Sequence, residues 1–285
     1  MSASRAEAGA EVARAQLATG EPLSRRELEA LATAEPEALL RRGPGRETFR
    51  WPGAGGQERI VKRYRGGPLL EGLRERLGGG PVRTPARREH DALAALSAAG
   101  LAVPRPLGLF ERGDLSLVVL EGVPHEENLR QRLERRPAEA RRWLGPLLEL
   151  VLGLHGAGWY HRDLYLDHFL IPGKGLIPGK GLIPEPAGAS PLVLIDLGRA
   201  RRDPRPRERW FVKDLAALRH STPEGVEESL AQRFLLDWAR ARGVEGRAAR
   251  RRLRDRVLAK AARMAAHRPR GGTSCAGPEP GEGGP

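Results

Sequence analysis

The chain is poor in cysteine, in aromatics and in lysine. Cys275 is its single thiol, so it can close no intramolecular disulfide and cannot build a cysteine-based zinc site. A reducing compartment is the simplest fit. No apolar run approaches the roughly 20 residues of a membrane helix. The opening stretch MSASRAEAGAEVARAQLATGEPLS lacks the apolar centre of a secretory signal. These absences predict a cytoplasmic protein, with peripheral contact to the cytosolic face of the inner membrane left open. Aromatics make up only 5% of the chain, which gives little material for base stacking. The net charge of +13 suggests an anionic partner, whether nucleic acid, phosphorylated sugar or a lipid headgroup surface, without choosing among them, and the scarce aromatics rank nucleic acid last.

What is present supports a folded protein. A length of 285 residues predicts one large or two small domains at roughly 100–200 residues each. A 40% hydrophobic share can fill a core. Gly and Pro together are about a fifth of the chain, below the roughly 25–30% of low-complexity sequence. Five lysines (Lys62, Lys174, Lys180, Lys213 and Lys260) stand against 44 arginines. In a chain that nearly always writes arginine, each lysine raises the question of why arginine would not serve.

Residues 1–40 read as an Ala/Glu/Arg-rich extension, helix or loop. Runs around Thr48–Trp51 and Arg59–Tyr64, punctuated by Gly and Pro, read as an antiparallel hairpin. Gly78–Gly80 mark a connection. From Pro85, ARREHDALAALSAAG spaces Leu93 and Leu96 as a helix would, with Gly100 as a stop. VPRPLGLFERGDLSLVVLEG holds two strands about a Gly-Asp turn, and RRWLGPLLELVLGLHGAG is helical with Leu144, Leu147, Leu148 and Val151 on one face. The arms HFLI and LVLID form a hairpin whose tip carries IPGKGL in tandem. That repeat is too short for a solenoid, and a hairpin tip tolerates added length. Helices follow in WFVKDLAALRHS, ESLAQRFLLDWARARG and RRLRDRVLAKAARMAAH. This order predicts an α+β, bilobal fold: a β-rich N-lobe over 41–122, a helical C-lobe over 123–267 with an insert at 171–190, and a disordered tail over 268–285.

The stretch WYHRDLYLDHFLI, followed by LVLIDLGRAR, carries the chemistry. A helix, a loop with Asp163, a strand, a turn, a second strand and then Asp196-Leu197-Gly198 repeat the catalytic-loop and metal-loop grammar of the protein-kinase-like fold. Phosphoryl transfer needs one carboxylate at the acceptor hydroxyl, a second on the Mg2+ that bridges the phosphates, and a cation for the phosphates themselves. Asp163 suits the first role. Asp196, with Gly198 allowing a sharp turn, suits the second. Lys62 in the strand IVKRY suits the third, with Glu89 as its helix partner and Glu71 and Glu75 as rivals. Gly43 and Gly45 lie where a phosphate-covering loop would be but lack the full G-x-G-x-x-G. Glu121–Val123 would be the hinge whose backbone meets adenine.

HRDLYLDHFLI, with His168 where protein kinases have Asn, resembles the lipopolysaccharide core kinase family, bacterial enzymes that phosphorylate heptose or Kdo sugars. VKRY, PARREHDALAALSAAGLAVPRPLG, LIDLGRAR and VKDLAAL extend the resemblance over residues 40–220. It implies Lys62 and Glu89 as an ion pair, Asp163 as catalytic base, Asp196 as Mg2+ ligand, His168 at a second metal-adjacent position, and Asp214 as a buried brace for the catalytic loop. The repeat insert, the thin glycine loop and Gly198, where His is expected, depart from the family pattern.

The segment between Gly198 and Asp214 is short and has no Ala-Pro-Glu, which favours a small acceptor over a peptide. Its arginines (Arg199, Arg201, Arg202, Arg205, Arg207 and Arg209) suit an anionic acceptor through forked contacts. The expectation is an ATP- and Mg2+-dependent phosphotransferase acting on a glycolipid sugar hydroxyl. A protein Ser/Thr/Tyr kinase and a pseudokinase scaffold are the alternatives.

Overall fold

The run ERIVKRYR alternates its side chains across a pleat, and in the computed structural model it is the central strand of an antiparallel sheet. Residues 23–36, 38–53, 57–66, 83–173, 191–203 and 207–266 are described. The five sheet strands are β1 (Ala38–Gly43), β2 (Arg46–Pro52), β3 (Glu58–Arg65), β4 (Pro106–Arg112) and β5 (Leu115–Glu121), in the order β1-β2-β3-β5-β4. On β3, Lys62 stands opposite Thr48 of β2 and Val118 of β5.

Alternation along β5 gives the sheet two buried faces. Leu117 and Val119 join Phe49, Trp51 and Val61 in a cluster closed by α1 (Arg25–Thr33). Val118 and Leu120 join the main core with α2 (Pro85–Ala98). A capping box between Ser24 and Glu27 starts α1. The helix lies so close to β4 that a Cβ on Gly108 would stand 2.7 Å from Leu28 Cδ2. Two expectations change here. The boundary at residues 40 and 41 falls inside β1, which pairs with β2 from Ala38 onward. Residues 23–33 are also packed into the fold rather than appended to it.

After β5 the chain turns helical. Short β6 (His125–Asn128) leads into α3 (Leu129–Arg135) and α4 (Ala140–Gly156). Beyond these come β7 (Trp159–Tyr160), β8 (Phe169–Pro172), β9 (Val193–Leu194) and β10 (Arg201–Arg202). The chain continues as α5 (Glu208–Ser221), α6 (Glu228–Ala241) and α7 (Arg247–Ala266). The arms HFLI and LVLID do pair antiparallel, Phe169 opposite Leu194 and Leu170 opposite Val193. Leu154, Leu215, Trp238 and Val257 belong to the same buried cluster as Leu93 and Leu96 of α2, so one core runs from the sheet into the helices. Among the described residues no helix is long and apolar enough to cross a membrane. The rival glutamates Glu71 and Glu75, Gly78–Gly80, the tandem repeat from 174 onward, Arg205 and the tail lie outside the described residues.

Candidate active site

The loop carrying Asp163 is held from beneath. Asp214 on α5 is fully buried, and its two carboxylate oxygens accept the backbone N–H groups of His161 (2.8 Å) and Arg162 (2.7 Å). Trp238 on α6 donates its indole N–H to His155 Nδ1 at 3.1 Å, which leaves His155 Nε2–H to donate to Asp214 at 3.3 Å. This relay fixes Arg162 in the left-handed region at φ 72°. The one other non-glycine residue with positive φ among the described residues is Asp196, at φ 60° and ψ 52°. The sharp turn expected of Gly198 is thus made by Asp196 itself. Such backbone costs on the order of 1–3 kcal/mol and persists where surrounding structure enforces it.

Asp196 faces the sheet. Lys62 Nζ lies 2.9 Å from Asp196 Oδ1 and 2.5 Å from Glu89 Oε1. Glu89 on α2 is fully buried, and Tyr64 donates its hydroxyl to Glu89 Oε2 at 3.2 Å. Arg46, the first residue of β2, donates to Asp196 Oδ1 at 3.2 Å. Burial opposes the charged form of Asp196, yet Lys62 and Arg46 outweigh it and hold the carboxyl well below the usual carboxylate range. Burial likewise opposes the Lys62 ammonium, and Glu89 and Asp196 reverse this and raise it above its ordinary value.

His168 stands between the two aspartates. Its Nδ1 lies 2.8 Å from the backbone carbonyl of Asp163, which can only accept, so Nδ1 carries the proton. Its Nε2 faces Asp196 Oδ2 at 3.7 Å. Its ring stacks on His161, whose burial pushes its imidazole below the ordinary histidine value. Asp163 points the other way, with Arg199 Nη1 at 2.8 Å from Oδ2 and Lys213 Nζ at 3.6 Å from Oδ1.

Between the sheet and the β8–β9 hairpin lies a cleft of about 320 Å³. Ile60, Leu120, Val123, Leu170 and Ile195 give it apolar walls, and Lys62, Asp196 and His168 lie in its charged part. Glu121 also lines it. The Val123 carbonyl is taken by His125 Nδ1 at 2.7 Å. Gly43 and Gly45 are not in the lining. Gly45 is held at φ 66° in the tight β1–β2 turn, where a Cβ would meet Arg65 O at 2.4 Å. The hairpin instead presents Leu40, Arg41 and Arg46 to the cleft. Of the expected residues, the fold therefore gathers Lys62, Glu89, Asp196, His168, Glu121 and Val123, sets Asp163 just beyond His168, and leaves the two glycines at the hairpin tip. Arg46, Lys213, His155 and Trp238 escaped sequence reading, although the scarcity of lysine did single out Lys213. Among the described residues no three His, Cys, Asp or Glu side chains converge as a metal cage.

This architecture is shared with a sugar-kinase structure. A solved structure described as WaaP in complex with acyl carrier protein matches with a TM-score of 0.60 and 29% identity, covering 84% of this chain and 90% of that one. The lipopolysaccharide core heptose(I) kinase WaaP of Pseudomonas aeruginosa is 34% identical over 170 residues, which span 54% of this chain and 59% of that protein. The family model for the lipopolysaccharide kinase (Kdo/WaaP) family matches residues 32–240. The chain belongs to that family.

Proposed function

We propose that this protein is a kinase of bilobal, protein-kinase-like plan that transfers the γ-phosphoryl group of ATP to a sugar hydroxyl of a lipopolysaccharide inner core, heptose or Kdo, or of a similar glycolipid. The observation that carries the reading is the joining of Lys62, Glu89 and Asp196, from strand, helix and loop, in one chain of contacts at 2.5 and 2.9 Å. The apolar slot beside it has the dimensions of a small-molecule site, which run roughly 300–1,000 Å³. Ile60, Leu120, Val123, Leu170 and Ile195 would sandwich adenine, and the Glu121–Val123 backbone would meet its polar edge.

In this reading Glu89 holds Lys62 on the α- and β-phosphates. Asp196 would hold Mg2+, which usually binds through one or two carboxylates plus phosphate oxygens and water, while His168, whose imidazole is a poorer ligand for this hard ion, would occupy the second metal-adjacent position. One carboxylate and the phosphates thus suffice without a cage. Bound there, Mg2+ would neutralise charge on the β- and γ-phosphates. Asp163 orients the acceptor hydroxyl and takes its proton. Asp214 keeps Asp163 in place through the loop backbone, a positioning role. Arg199 and the basic segment after it favour an anionic acceptor, consistent with a phosphorylated glycolipid presented at a membrane surface.

Transfer of labelled γ-phosphate from ATP to an extracted glycolipid core, with and without Mg2+, tests the proposal. Incorporation that needs Mg2+, spares a generic protein acceptor and disappears in both Asp163→Asn and Asp196→Asn is the expected result. Label on the protein acceptor alone would replace the sugar with a protein substrate. No label on either, from a folded protein that binds no nucleotide, would leave a scaffold.

A further inference from the structure

Three lysines fall among the described residues, and two of them face the aspartates of the candidate site. Lys62 reaches Asp196 at 2.9 Å and Lys213 reaches Asp163 at 3.6 Å, while Lys260 lies on α7. Elsewhere among the described residues, Lys260 apart, side-chain cations of this arginine-rich chain are written Arg. Two compact ammonium groups at the two carboxylates are therefore unlike the compositional background.

The catalytic loop itself offers no cation to a phosphoryl group. Between Asp163 and His168 it holds Leu164, Tyr165, Leu166 and Asp167, with no cation. The Arg162 guanidinium turns away to lie over Trp210, 5.3 Å from its ring centre. Arg199 reaches Asp163 from an exposed position and spends its fork on the carboxylate. Lys213 differs. It is half-buried and directly precedes Asp214, so the buried carboxylate that fixes the loop also fixes the lysine's backbone beside it. At 3.6 Å from Asp163 its ammonium is beyond hydrogen-bond length, and among the described residues no hydrogen bond takes its three N–H donors. Burial pushes this ammonium below the ordinary lysine value, and although Asp163 pulls it back up, Arg199 and Arg162 add to the depression. Two cations, Arg199 and Lys213, face the single carboxylate of Asp163 and leave local positive charge that an anion would satisfy.

We propose that Lys213 is a catalytic residue that binds the phosphoryl group as it passes to the acceptor held at Asp163. The inference rests on the kinase reading above. In the step, the acceptor oxygen forms its bond to the γ-phosphorus, and the bond from that phosphorus to the β–γ bridging oxygen breaks, leaving ADP. The hydroxyl proton passes to Asp163, and Lys213 keeps its own proton, donating N–H bonds to the moving phosphoryl oxygens. A point charge with rotatable donors can follow those oxygens, whereas a planar fork would lock onto Asp163 as Arg199 does.

The test compares the unsubstituted protein, Lys213→Met, Lys213→Gln and Lys213→Arg in the labelled-phosphate assay. Binding of a non-hydrolysable Mg2+-ATP analogue and the thermal midpoint are measured on the same samples. Removing one transition-state donor typically lowers kcat by about 100–1,000-fold. A fall of that size in Lys213→Met and Lys213→Gln, with analogue affinity and midpoint held near the parent and partial recovery in Lys213→Arg, is expected. Met or Gln variants that turn over within about threefold of an active parent would overturn the inference and leave the kinase reading standing. So would a loss of activity that follows a loss of midpoint in Met and Gln and is absent in Arg, because that marks a structural ion pair. No transfer by the unsubstituted protein would overturn both readings together.

Discussion

Asp214 makes no contact with the cleft, yet the geometry at Asp163 depends on it. Its carboxylate is the shared acceptor for two backbone N–H groups and one imidazole, buried at His161 and His155 and part-buried at Arg162. Asp214→Ala strands these donors, and each buried unsatisfied donor costs about 1–3 kcal/mol. The expected outcome is a lower urea midpoint together with loss of transfer, because Arg162 is released from its left-handed backbone. Asp214→Asn keeps one acceptor and should fall between parent and Ala in both measurements. At this scale the sequence was legible where chemistry is written as a contiguous motif: the HRD loop, Lys62 in its strand and the second aspartate after an apolar run. It was silent where partners meet across the fold. Arg46 and Asp196 are 150 positions apart, and nothing local to β2 announces that its first side chain will reach the loop after β9. The left-handed turn was misplaced to Gly198 because glycine is the usual occupant of such backbone, whereas Asp196 is forced there by Lys62, Arg46 and the strand that delivers it.

Among the elements, α1 is the one whose weight was least visible. Its composition matches the Ala/Glu/Arg bias of the segment before it, so periodicity gave little contrast. The start signal was nonetheless present in Ser24 and Glu27, spaced as a capping box. Leu31 is almost fully buried between the helix and the sheet. Leu31→Ala should cost about 2–5 kcal/mol, the usual range for a buried leucine that leaves a cavity. Urea denaturation followed by far-UV circular dichroism checks this, and a change under 0.5 kcal/mol would mean that α1 is not integral to the sheet. The longer elements β2, β3, β4, β5, α2 and α5 were readable because each has an apolar face of the right period and a Gly or Pro at its end. The two-residue strands β7 and β10 were not, since their pairing depends on which loops the helices bring together.

The molecule as a whole carries 49 basic and 36 acidic residues, and its buried Glu89 and Glu127 are matched to cations. Burial disfavours the charged form of Glu127, and hydrogen bonds from Arg135 and Arg132 prevail and hold it below the ordinary range. Asp196 is lowered in the same sense. A carboxylate lowered in the folded state contributes stability that is complete above its unfolded value, roughly 4, and is lost as the pH falls through the folded value. Buried His161 acts in the same direction from a higher starting point, because its folded value lies below the unfolded value of roughly 6.5. The thermal midpoint should therefore be level above about pH 7, sag below about 6.5 and drop steeply below about 4. His161→Asn should remove the sag and keep the acid drop. A midpoint that rises on acidification would contradict the assignment.

In the protein by itself both aspartates of the candidate site already have cations: Lys62 and Arg46 on Asp196, Arg199 and Lys213 on Asp163. On the kinase reading proposed above, an arriving divalent ion would displace an internal one, and the displaced arginine or lysine would find its next best partner in a phosphate. Metal and nucleotide would thereby be thermodynamically linked, each offsetting the other's penalty, and the coupling reciprocal. The factor by which Mg2+ tightened nucleotide binding would equal the factor by which nucleotide tightened Mg2+ binding. Removing the Arg46–Asp196 pair by Arg46→Ala should loosen that heterotropic bond between the two ligands even if each still binds alone.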